Sequence, residues 1–256
     1  MRIGFFDSGI GGITVLHKAL EVLPGAAYLY YADQAHVPYG TKTREEITAY
    51  VKEAVSFLCV KNCRCVVIAC NTATSAAIEE LRHTFDIPIL GMEPAVKPAV
   101  AHAGKKRVLV TATPFTIREE KLHRLIERVD PEHIADLKAL PRLVEFAEAG
   151  CFDAEEVEDY LKEAFAGLEL DQYSEVVLGC THFAYFRSAF RHVIPADVEI
   201  IDGTDGTVRH LKEVVGEQPS DVPVEVVYYI SGKRVTDPAR LAFYQQLLKQ
   251  LDRQTD

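Results

Sequence analysis

An apolar run ending in a small residue and a cysteine, followed at once by two residues able to hydrogen-bond, occurs twice in this chain. The copies are Val66-Val67-Ile68-Ala69-Cys70-Asn71-Thr72 and Val176-Val177-Leu178-Gly179-Cys180-Thr181-His182. Each run has the length of a buried strand, and helix-forming sequence follows, so each reads as a strand delivering a thiol to the first turn of a helix. Strands alternating with helices in this way give an α/β fold. Two cysteines in matching settings point to a pair of thiols that work together.

The surrounding pattern also restarts. Residues 2–6 form an apolar strand that runs into Asp7-Ser8-Gly9-Ile10-Gly11-Gly12 and a helix stopped by Pro24-Gly25. Residues 106–112 form a second such strand, followed by Thr113-Pro114, a helix cap with proline in the first helical position. From Asp7 to Cys70 is 63 residues, and from Thr111 to Cys180 is 69. The spacing predicts two pseudo-symmetric α/β domains with mainly parallel central sheets and the active site in the cleft between them, where the cysteines face each other. A last strand and helix, residues 224–230 and 238–251, are expected to pack back on the first half. The expected domains are therefore 1–97 plus 209–256, carrying Cys70, and 98–208, carrying Cys180.

Composition narrows the partners. A net charge of -10 argues against nucleic acid and against an anionic membrane surface, both of which are bound through clustered Lys and Arg. No apolar run approaches the length of a membrane span. The six cysteines follow no secretory spacing, and the chain opens on a strand without a basic-then-apolar leader, so a cytoplasmic protein with unpaired thiols is expected. Cys59, Cys63 and Cys65 lie close together, but no His or acidic residue completes a tetrahedral set, and no metal is expected there.

Other stretches carry candidate chemistry. Gly9 and Gly11 resemble the start of a dinucleotide fingerprint with Asp33 as its acidic residue, but the third glycine position is Thr14 and Asp7 would face a pyrophosphate. Asp7 and Ser8 either meet a ligand at the carboxyl edge of the sheet or merely cap a helix. The loop of residues 34–42 flanks Tyr39 with Pro38 and Gly40 and exposes backbone N–H groups suited to ligand contact. Cys70, at the positive end of a helix dipole, is expected to have a lowered thiol pKa. Glu145 and Glu148 lie one turn apart, with nothing local to single out either. His182 is a proton carrier or a partner for the neighbouring thiol.

Two opposed thiols without a phosphate loop leave two jobs. A redox pair is usually Cys-x-x-Cys, which neither site has. The other job is proton transfer on opposite faces of a carbon: one thiolate removes the proton and the opposite thiol returns one. Such a weak carbon acid requires a dry cleft and donors that fix its carboxylate, and Asn71, Thr72 and Thr181 stand at the two helix starts where an anion is held.

Four ordered strings, Asp7-Ser8-Gly9-Ile10-Gly11-Gly12, Pro38-Tyr39-Gly40, Cys70-Asn71-Thr72-Ala73 and Gly179-Cys180-Thr181-His182, together resemble the cofactor-independent glutamate racemases. The resemblance implies Cys70 and Cys180 as acid/base thiols, with Asp7 assisting the first and Glu148 with His182 the second. Implied substrate contacts are Asp7, Ser8, Tyr39, Gly40, Asn71, Thr72, Thr181 and His182. It implies interconversion of L- and D-glutamate without cofactor or metal, supply of D-glutamate to peptidoglycan, and a homodimer. Where family members often have Cys-Pro ahead of the Glu148 helix, this chain has Leu140-Pro141. The alternatives are a relative acting on aspartate, a hydantoin or maleate, and a two-lobed binding module without turnover.

Overall fold

The structure, a computed structural model, describes residues 1–153, 155–217 and 224–252. The first half comprises β1 (Arg2–Asp7), α1 (Ile13–Val22), β2 (Ala27–Ala32), α2 (Arg44–Val60), β3 (Cys65–Ile68), α3 (Asn71–Thr84), β4 (Ile89–Gly91) and α4 (Val96–His102). The second comprises β5 (Arg107–Ala112), α5 (Pro114–Arg118), α6 (Glu120–Val129), β6 (Ala135–Ala139), α7 (Arg142–Glu148), α8 (Glu155–Phe165), β7 (Tyr173–Leu178), α9 (Arg187–Val193), β8 (Glu199–Asp202) and α10 (Thr204–Val215). The chain closes with β9 (Val226–Ile230), β10 (Lys233–Arg234) and α11 (Pro238–Asp252).

The strands form two sheets, in the orders β10-β9-β2-β1-β3-β4 and β6-β5-β7-β8. Every pairing is parallel except that of the short edge strand β10 with β9. Helices cover the faces, so β3 is buried at every position and β1 at every position after its first. That burial explains why the interior strands read as continuous apolar runs rather than alternating ones.

The order β2-β1-β3-β4 is the order β6-β5-β7-β8 position for position, as the restart in the sequence predicts. The register refines the correspondence. Phe6 pairs with Ile68, two residues before Cys70, and Thr111 pairs with Leu178, two residues before Cys180. By register Asp7 therefore corresponds to Ala112, one residue beyond Thr111, and the carboxylate at the end of β1 has no counterpart in the second half.

The tail joins the first half as expected. Strand β9 runs parallel to β2 from Tyr28↔Val226 to Ala32↔Ile230, and α11 buries Tyr244, Leu247 and Leu251. One hydrophobic core draws on both sheets, bringing Ile3, Phe5 and Tyr30 together with Leu109, Leu178 and Phe183. Each such large side chain contributes about 1.5–3 kcal/mol on removal from water. The expected boundary at 208/209 falls inside the unbroken helix α10, and of the expected 209–256 segment, residues 218–223 and 253–256 lie outside the described residues.

Candidate active site

Parallel strands β1 and β3 end side by side, so Asp7 and Cys70 arrive at the same carboxyl edge of the sheet, where open α/β folds bind ligands. Asp7 is fully buried. Its Oδ1 accepts from the Gly9 amide at 2.9 Å and its Oδ2 from the Thr181 hydroxyl of the other half at 3.0 Å. Burial pushes its pKa up to about 6, against the pull of His182 and these two donors.

Two of the glycines beside Asp7, Gly9 and Gly11, make room for the second half. A Cβ on Gly9 would collide with the Glu148 carboxylate, and one on Gly11 with the Thr181 hydroxyl and the His182 ring. One on Gly12 would lie 2.7 Å from the Asp7 Cβ. The turn that resembles a phosphate loop is thus filled by protein side chains, which removes the dinucleotide reading.

Cys70 caps α3: its Sγ accepts from the Ala73 amide at 3.4 Å and lies 3.7 Å from Ser8 Oγ. The expected lowering of its pKa is not found. Burial, then the Asp7 carboxylate, push the thiol well above its ordinary value, and a charge on Cys180 acts in the same direction. The helix amide and Ser8 oppose this without reversing it, because a thiolate stripped of water loses more than one N–H returns.

Cys180 departs from the setting expected to match that of Cys70. The helix after it, Thr181–Phe186, is a 3-10 helix, and the thiol receives no amide cap. Its partner is His182, with Nδ1 3.8 Å from Sγ. The other ring nitrogen, Nε2, lies 2.7 Å from Glu148 Oε1. Glu148 also accepts from the Ile10 amide at 2.8 Å and from Gln34 Nε2 at 3.3 Å. Burial works against the charged forms of both His182 and Glu148, but their mutual contact and the neighbouring bonds prevail. His182 is held well above, and Glu148 below, its ordinary range.

The remaining expected contacts are close by. Tyr39 is buried with its hydroxyl donating to Asp33 Oδ2 at 2.6 Å, and Gly40 packs against Thr113, whose Cβ would stand 3.0 Å from an added methyl. Thr72 Oγ1 lies 2.9 Å from Thr113 Oγ1 and 3.3 Å from Thr116 Oγ1. Asn71 donates to Met92 O at 3.3 Å, and its Oδ1 is buried without a partner. From the sequence Thr113 is only a helix cap and Gln34 only part of a loop, and Thr116 carries no signal at all. The register exposes the missed signal for Thr113: it occupies in the second half the position Ser8 occupies in the first.

The site is closed, with Cys70 and Cys180 only 6 % and 7 % exposed. A cavity of about 620 Å³ lies elsewhere, lined by Thr74, Glu93, Asp202 and Arg209 and by neither cysteine. Cys59, Cys63 and Cys65 are unpaired, and burial raises all three thiols, the latter two to about 12. No helix among the described residues is long and apolar enough to cross a membrane.

Comparison with known proteins identifies the family. Residues 13–211 match the Asp/Glu/Hydantoin racemase family. The glutamate racemase of Halothermothrix orenii is 51 % identical over 98 % of this chain and 100 % of its own. That of Lachnospira eligens is 48 % identical over 99 % and 98 %. The crystal structure of Escherichia coli glutamate racemase in complex with L-glutamate and the activator UDP-MurNAc-ala superposes with a TM-score of 0.82, at 28 % identity and covering 95 % of this chain and 94 % of that one. With a match running through most of the chain and relatives half identical to it from end to end, the chain belongs to the Asp/Glu/Hydantoin racemase family.

Proposed function

We propose that Cys70 and Cys180 are the two acid/base groups of an amino-acid racemase. The chain interconverts L- and D-glutamate: one sulfur takes the Cα proton while the other donates a proton to the opposite face. The observation that carries this reading is the pair of strand-end cysteines, each buried and each with polar partners of its own.

The two sides divide the work unequally. At rest Cys70 is the thiol, because burial and Asp7 disfavour its charge. His182, kept protonated by Glu148 and Cys180, is the cation a thiolate at Cys180 requires. Removal of the Cα proton by Cys180 and delivery of the Cys70 proton therefore describe one direction, and the reverse direction exchanges the roles. Thr72, Thr181 and the amides at the start of α3 hold the substrate carboxylates, and Ser8, Gly40 and the backbone beside Tyr39 complete the pocket. The unpartnered Asn71 Oδ1 and the Asp7 carboxylate are acceptors for the ammonium. Water exclusion lowers the cost of forming the carbanion by keeping these dipoles aimed at it.

The division into 1–97 plus 209–256 and 98–208, one thiol in each, belongs to this proposal, as do a homodimer, a cytoplasmic setting and supply of D-glutamate to peptidoglycan. Incubation with L-glutamate in heavy water tests the chemistry. D-glutamate is expected to appear with deuterium at Cα while the early residual L-pool stays unlabelled. Cys70→Ala and Cys180→Ala are each expected to abolish exchange into product, and turnover surviving both replacements would refute the mechanism. Aspartate, one of the other substrates for which the family is named, is separated by comparing kcat/KM for the two amino acids.

A further inference from the structure

Two buried tyrosines bring their hydroxyls into the glycine turn. Tyr30, on β2, donates to Gly9 O at 2.7 Å, and Tyr185, in the 3-10 helix after Cys180, donates to Ile10 O at 2.9 Å. The carbonyl that Tyr30 holds and the Ile10 amide belong to one peptide group, and that amide is the donor to Glu148 Oε1. The contacts continue from Glu148 to His182 Nε2 at 2.7 Å and from His182 Nδ1 to Cys180 Sγ at 3.8 Å. A peptide polarised at its oxygen donates more strongly at its nitrogen, and one held at both ends has a fixed plane. Both tyrosine rings are at most 1 % exposed, and a hydroxyl so deeply buried is costly unless bonded. The Cys70 side lacks such a line, since Ser8 and Ala73 meet that sulfur directly.

We propose that Tyr30, seconded by Tyr185, is a positioning residue for Cys180: its hydroxyl orients the Gly9–Ile10 peptide, which sets Glu148, and through it His182, against the thiol. The inference rests on the reading of Cys180 and His182 as proton-transfer groups. Neither tyrosine touches substrate in this scheme. The titratable groups that influence Glu148 or are influenced by it are His182, Asp7, Tyr30, Tyr185 and Tyr244; of these His182 alone bonds to it, alongside the neutral donors Ile10 and Gln34.

The test replaces Tyr30→Phe and Tyr185→Phe in the full chain, with Tyr28→Phe as reference. Tyr28 is an equally buried neighbour on β2 whose hydroxyl donates to Ala19 O at 3.0 Å and Leu23 O at 2.7 Å, away from the turn. Glutamate racemisation is followed across pH together with Tm. Tyr30→Phe is expected to lower kcat about three- to ten-fold with KM within about two-fold, the effect of one weakened buried hydrogen bond. The acid limb of kcat/KM should move to higher pH by about half a unit, because the Glu148 carboxylate loses part of the donor strength that favours its ionised form. Tyr28→Phe should lower Tm and leave kcat and the limb in place. Wild-type kcat and pH profile in Tyr30→Phe, or the same change in Tyr28→Phe, would overturn the proposal. Should Tyr30→Phe fail to fold, Tyr185→Phe, which frees the next carbonyl of the turn, is expected to lower kcat in the same direction, and wild-type kcat in that variant would overturn the proposal. Absence of racemisation by the wild-type chain would instead defeat the functional reading. The positioning claim is then decided by the His182 ring nitrogen resonances, which should shift in Tyr30→Phe and not in Tyr28→Phe; unmoved resonances in both overturn it.

Discussion

Asp7 is a carboxylate kept where water cannot reach it, and its effect on stability has a definite sign. Its folded pKa of about 6 stands above the ordinary 3.8, so between these values the folded chain holds a proton that the unfolded chain has released. The stability this confers is fully present below pH about 4, is lost as pH rises through about 6, and does not return above it. Asp7→Asn removes the titration. Its denaturation midpoint should therefore pull ahead of wild type between pH 4.5 and 7.5, by on the order of 1–3 kcal/mol in unfolding free energy, while turnover falls. A gap that does not vary with pH would contradict burial as the cause. Glu148 makes the opposite case, since its charge is favoured by His182, Ile10 and Gln34. Glu148→Gln should lower kcat about 100-fold, the scale of a weakened general acid/base, without unfolding the chain. A loss confined to KM would instead assign Glu148 to substrate binding.

Among the elements, the glycine turn after β1 is where the sequence was most easily misread. Gly9 and Gly11 look like a phosphate loop because both structures need backbone without side chains, and sequence cannot reveal which atoms fill the space. Glu148 and His182 fill it, 138 and 172 residues away along the chain from Ile10. Gly11→Ala should cost roughly 1–3 kcal/mol and depress kcat, because the added methyl displaces Thr181 and His182 together. Unchanged melting and unchanged turnover would mean that the second half yields without penalty. The strand–cysteine–helix units were legible because their apolar runs and polar starts are local. The 3-10 geometry after Cys180 was not, since α and 3-10 turns share their opening residues and differ in later packing. Thr113 read only as a cap, and its meeting with Thr72 depends on how the two halves close.

At the scale of the whole molecule, side chains from both halves tie the structure together beside the shared core. Arg44 pairs with Glu119, and Lys121 Nζ lies 2.9 Å from Glu93 Oε1, each pair joining the two halves. Arg44 and Glu93 are about half exposed, so each pair contributes under about 1 kcal/mol to unfolding, weakened further by salt. Arg44→Ala should accordingly raise KM for glutamate about two- to five-fold with kcat little changed, while the denaturation midpoint moves slightly. A fall in kcat at constant KM would show that the pair shapes the reacting geometry instead. The repeated strand order has a consequence of another kind. A rotation carries one half onto the other, but enantiomers are related by reflection, which no assembly of L-amino acids can supply. The environments of the two sulfurs therefore cannot be mirror images of each other, and here they are not even alike: Asp7 answers to Ala112, and an amide cap to an imidazole. On the proposed chemistry kcat and KM are accordingly free to differ between the two hands of the substrate. Their ratio is not, because an achiral solvent gives both hands the same free energy.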